Sequence, residues 1–239
     1  MTEFPRLLIP FEDVPARAIR VPVGADPGAA LAALELPPYR AIVVIHGGAG
    51  GMDAPLIDAV TRFFALSLAP FAERYRVLIA DGGTRAGTMA AMGAARRAVN
   101  GTFPLVGVAP LGAVSYPGSG DADAGRAPLD EGHSHFILIE AESFGVESDL
   151  LVGLLRAAGV PGVALIVNGG SIVREEVAAH AARHNPVIAV AGSGRAADEL
   201  VDPQGPLRAE TPGLALEVVQ LAEPSNLTAT LEHLLHAAP

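Results

Sequence analysis

From residue 41 onward the chain repeats one hydropathic phrase: a short β-branched apolar run, a glycine-rich turn, then a stretch whose apolar positions recur at helical spacing. The apolar runs are 41–46, 76–80, 105–109, 136–140, 163–167 and 187–191. Near-continuous strings such as Ile42-Val43-Val44-Ile45 suit strands buried on both faces, as in a parallel sheet covered by helices. The first helical stretch opens at Asp53, a good N-cap, with Pro55 in the first turn. It carries Leu56, Val60, Phe63, Phe64 and Leu68 at helical spacing. Further helices are expected over 86–99, 147–158, 172–183, 196–201 and 227–237. The alternation predicts an α/β fold, Rossmann-like and doubly wound, with six strands in a mostly parallel sheet and helices on both faces.

One domain is expected over residues 1–239. Within it, 1–40 reads as an N-terminal extension packed on the sheet edge as an antiparallel strand pair, 41–200 as the Rossmann-like core, and 201–239 as a C-terminal segment and helix. Two stretches break the rhythm. Residues 111–133 are long, rich in Gly and Asp and without periodicity, which marks a lid over a site. Residues 201–212 carry three prolines and read as a plain connection.

Composition narrows the chemistry. There is no cysteine, which removes disulfides, thiol nucleophiles and Cys-based metal sites, and no lysine, which removes Schiff-base catalysis and the P-loop lysine. A net charge of −10, with no cluster of Arg and aromatics, makes nucleic acid and anionic membranes poor partners. A small anion remains open if backbone N–H groups and a few Arg capture it locally. No apolar run approaches the ~20 residues that cross a bilayer, and the first residues carry no export signal, so a cytoplasmic protein is expected.

Four glycine-rich turns follow four of the apolar runs: His46-Gly47-Gly48-Ala49-Gly50-Gly51, Asp81-Gly82-Gly83-Thr84, Asn168-Gly169-Gly170-Ser171 and Gly192-Ser193-Gly194-Arg195. In an open parallel sheet the carboxyl ends of the strands share one edge, so these turns should converge on one crevice, each followed by a helix N-terminus. Glycine lets unpaired N–H groups approach phosphate oxygens closely. Gly48-Ala49-Gly50-Gly51-Met52-Asp53 ends in Asp where the dinucleotide fingerprint needs Gly, and no G-x-S-x-G elbow occurs, so neither hydride transfer nor serine hydrolysis is specified. His133 and His135 alternate on one strand and suit either a metal site or hydrogen-bonded support for the lid. No spacing supplies a third ligand from Asp121, Asp123 or Asp130, so no metal is expected. Asp123, Asp130 and Glu131 read as solvated loop charges, while Glu140, Glu142 and Glu147 suit a ribose contact or the surface equally.

The strings Asp81-Gly82-Gly83-Thr84-Arg85-Ala86-Gly87-Thr88-Met89, Tyr116-Pro117, Leu129-Asp130-Glu131-Gly132-His133-Ser134-His135-Phe136 and Gly192-Ser193-Gly194-Arg195-Ala196-Ala197-Asp198 resemble, in order, the SLOG domain (LSDAT) of melastatin-type TRP channels in its free-standing prokaryotic form. The resemblance spans about residues 40–200. It implies a Rossmann-like domain that binds or senses ADP-ribose or a related adenine nucleotide, with no cofactor required. It would place phosphates at Gly47, Gly48, Ala49, Gly82, Gly83 and Thr84, with Ser193 and Arg195 at the last turn and Tyr116 and Arg126 closing over the ligand. Gly50, Asn168, Gly169, Gly170, Gly192 and Gly194 complete the expected ligand-binding set, and His133 and His135 would be framework. The related LOG phosphoribohydrolases carry Pro-Gly-Gly-x-Gly-Thr-x-x-Glu. Here Asn168-Gly169-Gly170-Ser171-Ile172-Val173-Arg174-Glu175 keeps the two glycines and a Glu but not Pro, Gly and Thr. Binding without catalysis is therefore expected; for the alternative, a nucleotide-cleaving enzyme, Glu175 is the first suspect as acid or base. A homodimer is the expected assembly.

Overall fold

A computed structural model describes residues 4–120 and 125–236. In chain order the elements are β1 (Arg6–Ile9), β2 (Ala16–Val21), α1 (Pro27–Ala33), β3 (Ala41–Gly47), α2 (Ala54–Leu66), α3 (Leu68–Tyr75), β4 (Val77–Asp81), α4 (Gly87–Ala98), β5 (Leu105–Pro110), β6 (Val114–Ser115), β7 (Ala127–Pro128), β8 (His135–Ile139), α5 (Ser148–Ala157), β9 (Gly162–Val167), α6 (Ser171–Ala182), β10 (Val187–Ala191), α7 (Arg195–Val201), α8 (Pro206–Glu210), β11 (Leu216–Gln220) and α9 (Pro224–His236).

Among the described residues the main sheet has nine strands, in the order β1-β2-β8-β5-β4-β3-β9-β10-β11. All pair in parallel except β1 with β2. The run β5-β4-β3-β9-β10-β11 is the doubly wound order of a Rossmann fold: the chain steps outward from β3 to β4 and β5, then returns to build β9, β10 and β11 on the other side of β3. The order in which successive strands are added reverses between β3 and β9, which are parallel, and the crevice above their carboxyl ends is where such sheets bind ligands.

The apolar runs divide as strand geometry requires. Along β3, Ala41, Val43 and Ile45 face α2, α3, α4 and α9, whereas Ile42 and Val44 face the layer of α1, α5, α6 and α7. Phe63 and Phe64 of α2 are fully buried in the first layer, each contributing roughly 2–3 kcal/mol by area removed from water. The expected cap is present, with Asp53 accepting from the Leu56 N–H at 3.0 Å.

Several expectations need correction. The sheet holds nine strands, because β2 joins β8 in parallel and carries β1 with it, and because Leu216–Gln220 forms an edge strand on β10. In that strand only Val219 is buried, so its hydropathy carries no continuous run. Residues 201–212 are no plain connection, since they include α8. The stretch Ala54–Tyr75 has 22 residues and contains an 18-residue window of mean hydropathy 1.3, enough by length and composition to cross a membrane. It is two helices broken at Ser67, whose hydroxyl donates back to the Phe63 carbonyl at 2.5 Å, and its apolar stripe packs into the core.

The lid stretch is more anchored than its composition predicts. Val114 and Leu129 are buried with Phe11 and Phe136 in a third cluster, β6 pairs with β7, and Leu129 bridges to Thr84. Asp121 and Asp123 lie outside the described residues. Asp130 is not a solvated charge. It is buried and accepts from the Gly132 N–H at 2.9 Å, while its Oδ1 lies 3.3 Å from His133 Nδ1.

Candidate functional site

A cavity of about 560 Å³ opens above the carboxyl ends of β3, β4 and β9, at the reversal point of the sheet. Its floor is the turn after β3, Gly47–Gly51, with His46 beneath it; Gly82 and Thr84 come from the turn after β4, and Gly170–Val173 from the start of α6. Met89, Phe144, Leu151 and Ile172 supply an apolar wall, and Ala127 of β7 a side.

The first turn is built by contacts from both halves of the sheet. Thr88, in the first turn of α4, donates its N–H to the Gly48 carbonyl at 3.0 Å, and Arg195 Nη1 donates to the Gly50 carbonyl at 3.1 Å. Gly87 has φ +49°, and a Cβ there would sit 1.9 Å from the Gly48 oxygen, so close approach and backbone geometry both require glycine. The first turn of α6 has no side-chain cap and faces the cavity, leaving its N–H groups for an anion. Arg195, exposed at the mouth, lies over Gly170 and Gly51. Thr84 Oγ1 is buried in the cavity wall and has no hydrogen-bond partner among the described residues.

The predicted residues therefore divide. Gly47, Gly48, Ala49, Gly50, Gly82, Thr84, Gly170 and Arg195 line the cavity. Gly83 stands behind it, its N–H taken by Asp81 Oδ1 at 2.7 Å and its backbone pressed against Gly107. Asn168 is buried and binds turn to turn: its N–H donates to Ser193 Oγ at 2.8 Å and its Nδ2 to the Ser193 carbonyl at 2.7 Å. Gly169 turns the chain at φ +98° against Val173. The N–H groups of Gly192 and Gly194 point to the Asp198 carboxylate at 2.7 and 3.2 Å, so the fourth turn offers only Arg195 to a ligand. Tyr116 and Arg126 line a different cavity, also of about 560 Å³, with Arg20, Glu140 and Glu142. That second cavity borders β6, while Ala127 of β7 stands in the wall of the first.

Glu175 is exposed on α6 and does not line the cavity, whereas Glu176 does. The signal for it was legible. Counted position by position from Asn168, the ninth residue of the Pro-Gly-Gly-x-Gly-Thr-x-x-Glu pattern is Glu176. Glu147, weighed between ribose contact and surface, is buried in the same wall. Burial raises its pKa, the N–H groups of Glu147 itself and Gly145 oppose this, and the nearby Glu176 charge raises it further. For Glu176 burial also opposes ionisation, but His46 and the Ser148 hydroxyl, 2.8 Å from Oε1, reverse it and lower the pKa.

His133 and His135 are framework. His133 Nε2 lies 2.8 Å from Asp81 Oδ1, and its other nitrogen faces Asp130. Burial alone would depress its pKa, yet the two carboxylates outweigh that and raise it to about 9, so it is an imidazolium at neutral pH. His135 is neutral, pushed down to about 4 by burial and by Arg17 and Arg96. Among the described residues no group of three His, Asp or Glu side chains is placed to hold a metal ion.

Fold and cavity together define a Rossmann-like domain with a glycine-walled, anion-receptive cleft at the switch point. A family model described as SLOG in TRPM, prokaryote, matches residues 40–229, and the chain belongs to that family, whose domain suggests a nucleotide-related role. No curated protein matches the chain.

Proposed function

We propose that the cavity binds a nucleotide-derived ligand, ADP-ribose or a related adenine nucleotide, and that the chain is a cytoplasmic sensor of it without a required cofactor. The observation that carries this reading is the meeting of three features at the switch point. These are the uncapped first turn of α6, the Gly47–Gly51 turn, and the buried, unpartnered Thr84 hydroxyl, all in one cavity. Phosphates would lie against the α6 N–H groups and Arg195, with the base on the wall of Met89, Phe144 and Leu151. A volume of about 560 Å³ lies within the usual range of small-molecule sites.

Isothermal titration of purified protein with ADP-ribose should give saturable heat, and chromatography should recover the ligand unchanged. Arg195→Ala should weaken binding roughly tenfold to a hundredfold, the worth of a charge-assisted hydrogen bond. Absence of heat with the wild type would sink the choice of ligand.

A second reading, a nucleotide-cleaving enzyme, draws on the position of Glu176. Two buried carboxylates, Glu147 with a raised and Glu176 with a lowered pKa, share one cavity wall, the arrangement that separates an acid from a base. On this reading Glu176→Gln abolishes turnover and Glu175→Gln leaves it intact. Equal rates for both variants would exclude Glu176 from the chemistry.

A further inference from the structure

Behind the cavity a line of buried polar side chains runs from Glu176 along one face of α6 to Asn185, just beyond its C-terminal end. Glu176 Oε2 lies 2.8 Å from His46 Nδ1, His46 Nε2 lies 2.8 Å from His180 Nε2, and His180 Nδ1 lies 2.9 Å from Asn185 Nδ2. Asn185 Oδ1 in turn lies 3.2 Å from Arg156 Nε, and Arg156 Nη2 donates to the Arg183 carbonyl. His46, Glu176, His180 and Asn185 are all buried. The two imidazoles meet edge to face, with centroids 4.8 Å apart.

The direction of every proton in this line follows from its far end. Arg156 Nε can only donate, so the Asn185 atom facing it is the oxygen, and the amide nitrogen faces His180. An amide nitrogen also only donates, so His180 Nδ1 must accept and its proton sits on Nε2. That proton points at His46 Nε2, which must accept in turn, and the His46 proton therefore sits on Nδ1. The Glu176 carboxylate stands beside it at 2.8 Å, as an ion-pair contact rather than a hydrogen bond, and Nδ1 has no hydrogen-bond partner among the described residues. The Ser148 hydroxyl donates to the second oxygen. A proton added to His46 Nε2 would confront the Nε2–H of His180.

We propose that this chain holds Glu176 as an ionised acceptor in the cavity wall, a subsite for a hydroxyl or ammonium donor of the ligand, with Asn185 and Arg156 as its positioning residues. The mention of a ligand rests on the reading of the cavity above; the proton pattern does not. The charged and titratable groups around the line are Glu147 at the N-cap of α5, Arg156 on α5, His46 at the end of β3, His180 on α6, and Arg183 just beyond α6. Burial foremost, with Arg183 adding to it, pushes the His180 pKa down to about 2, which keeps that ring neutral as the line requires. The cavity is then bipolar, with Arg195 and the α6 amides for an anion and Glu176 for a donor.

The test uses the ligand-free protein and long-range ¹H–¹⁵N correlation spectra of the histidines, with the ¹³C carboxyl shift of Glu176, between pH 5 and 8. Expected are His180 protonated on Nε2 and not on Nδ1, His46 carrying a proton on Nδ1, and Glu176 ionised throughout. In Asn185→Asp the acceptor-only side chain should reverse the line, moving the His180 proton to Nδ1. A wild-type His180 proton on Nδ1, a His46 proton confined to Nε2, or a spectrum unchanged in Asn185→Asp would overturn the proposal. If the variant fails to fold, the wild-type tautomers decide alone. Absence of ADP-ribose binding beside the expected tautomers would count against the ligand assignment and leave the positioning chain established.

Discussion

Gly87→Ala lowers the melting temperature by roughly 8–16 °C, the equivalent of about 4 kcal/mol in a chain of this size. The added methyl group meets the Gly48 carbonyl at 1.9 Å, and φ is +49°, so the first turn of α4 must move away from the loop after β3. Neither neighbour is a flexible side chain that could swing aside, since both are backbone. Thr88 then loses its hold on the Gly48 carbonyl, and the floor of the cavity goes with it. Gly118→Ala is the control. It also has positive φ, +88°, but nothing among the described residues lies within 4 Å of the new atom, and it should cost only about 1 kcal/mol. Equal losses in the two variants would mean that backbone conformation, not the contact with Gly48, sets the cost.

The second large effect is alkaline. In the folded chain the His133 pKa is about 9, above its unfolded value of 6.5, so the native state binds the proton more tightly. The stabilisation is fully present below pH 6.5 and disappears as pH rises through about 9; its ceiling is about 3 kcal/mol. Denaturant midpoints at pH 6.5 and 9.5 should differ accordingly, and in His133→Gln that alkaline slope should vanish. The variant is also less stable at pH 7, by up to about 3–5 kcal/mol, because Asp81 and Asp130 stay buried without their cation. A flat wild-type profile from pH 6.5 to 9.5 would contradict the buried imidazolium. His135 and His180 act with opposite sign. Their folded pKa values, about 4 and about 2, lie below the unfolded value, so stability falls as pH drops below 6.5 and the unfolded chain takes up protons.

The core of the fold was legible because its strands are buried on both faces and so read as unbroken apolar runs. Each of the six expected strands is present, within a residue or two at either end. β11 was missed for the converse reason: an edge strand with one buried residue leaves no run. The glycine turns announced the crevice, yet sequence could not say which turns keep free N–H groups. Asp198 consumes those of the fourth turn and Asp81 that of Gly83, through side chains that follow or precede the glycines by only a few positions. Tyr116 and Arg126 were placed over the ligand by resemblance alone; the pairing of β6 with β7 sets them in a neighbouring cavity. His46 and Glu176 come from elements far apart in sequence, and their meeting depends on the adjacency of β3 and β9 that no local pattern encodes.

The Gly47–Gly51 turn is gripped from two directions, by the first turn of α4 on one half of the sheet and by Arg195 from the other half. A glycine-rich segment left to itself would surrender much conformational freedom on meeting a ligand, and that ordering would subtract from affinity. Here the freedom is already spent during folding, so the cavity floor is preorganised, and a ligand would meet a template that needs little further ordering.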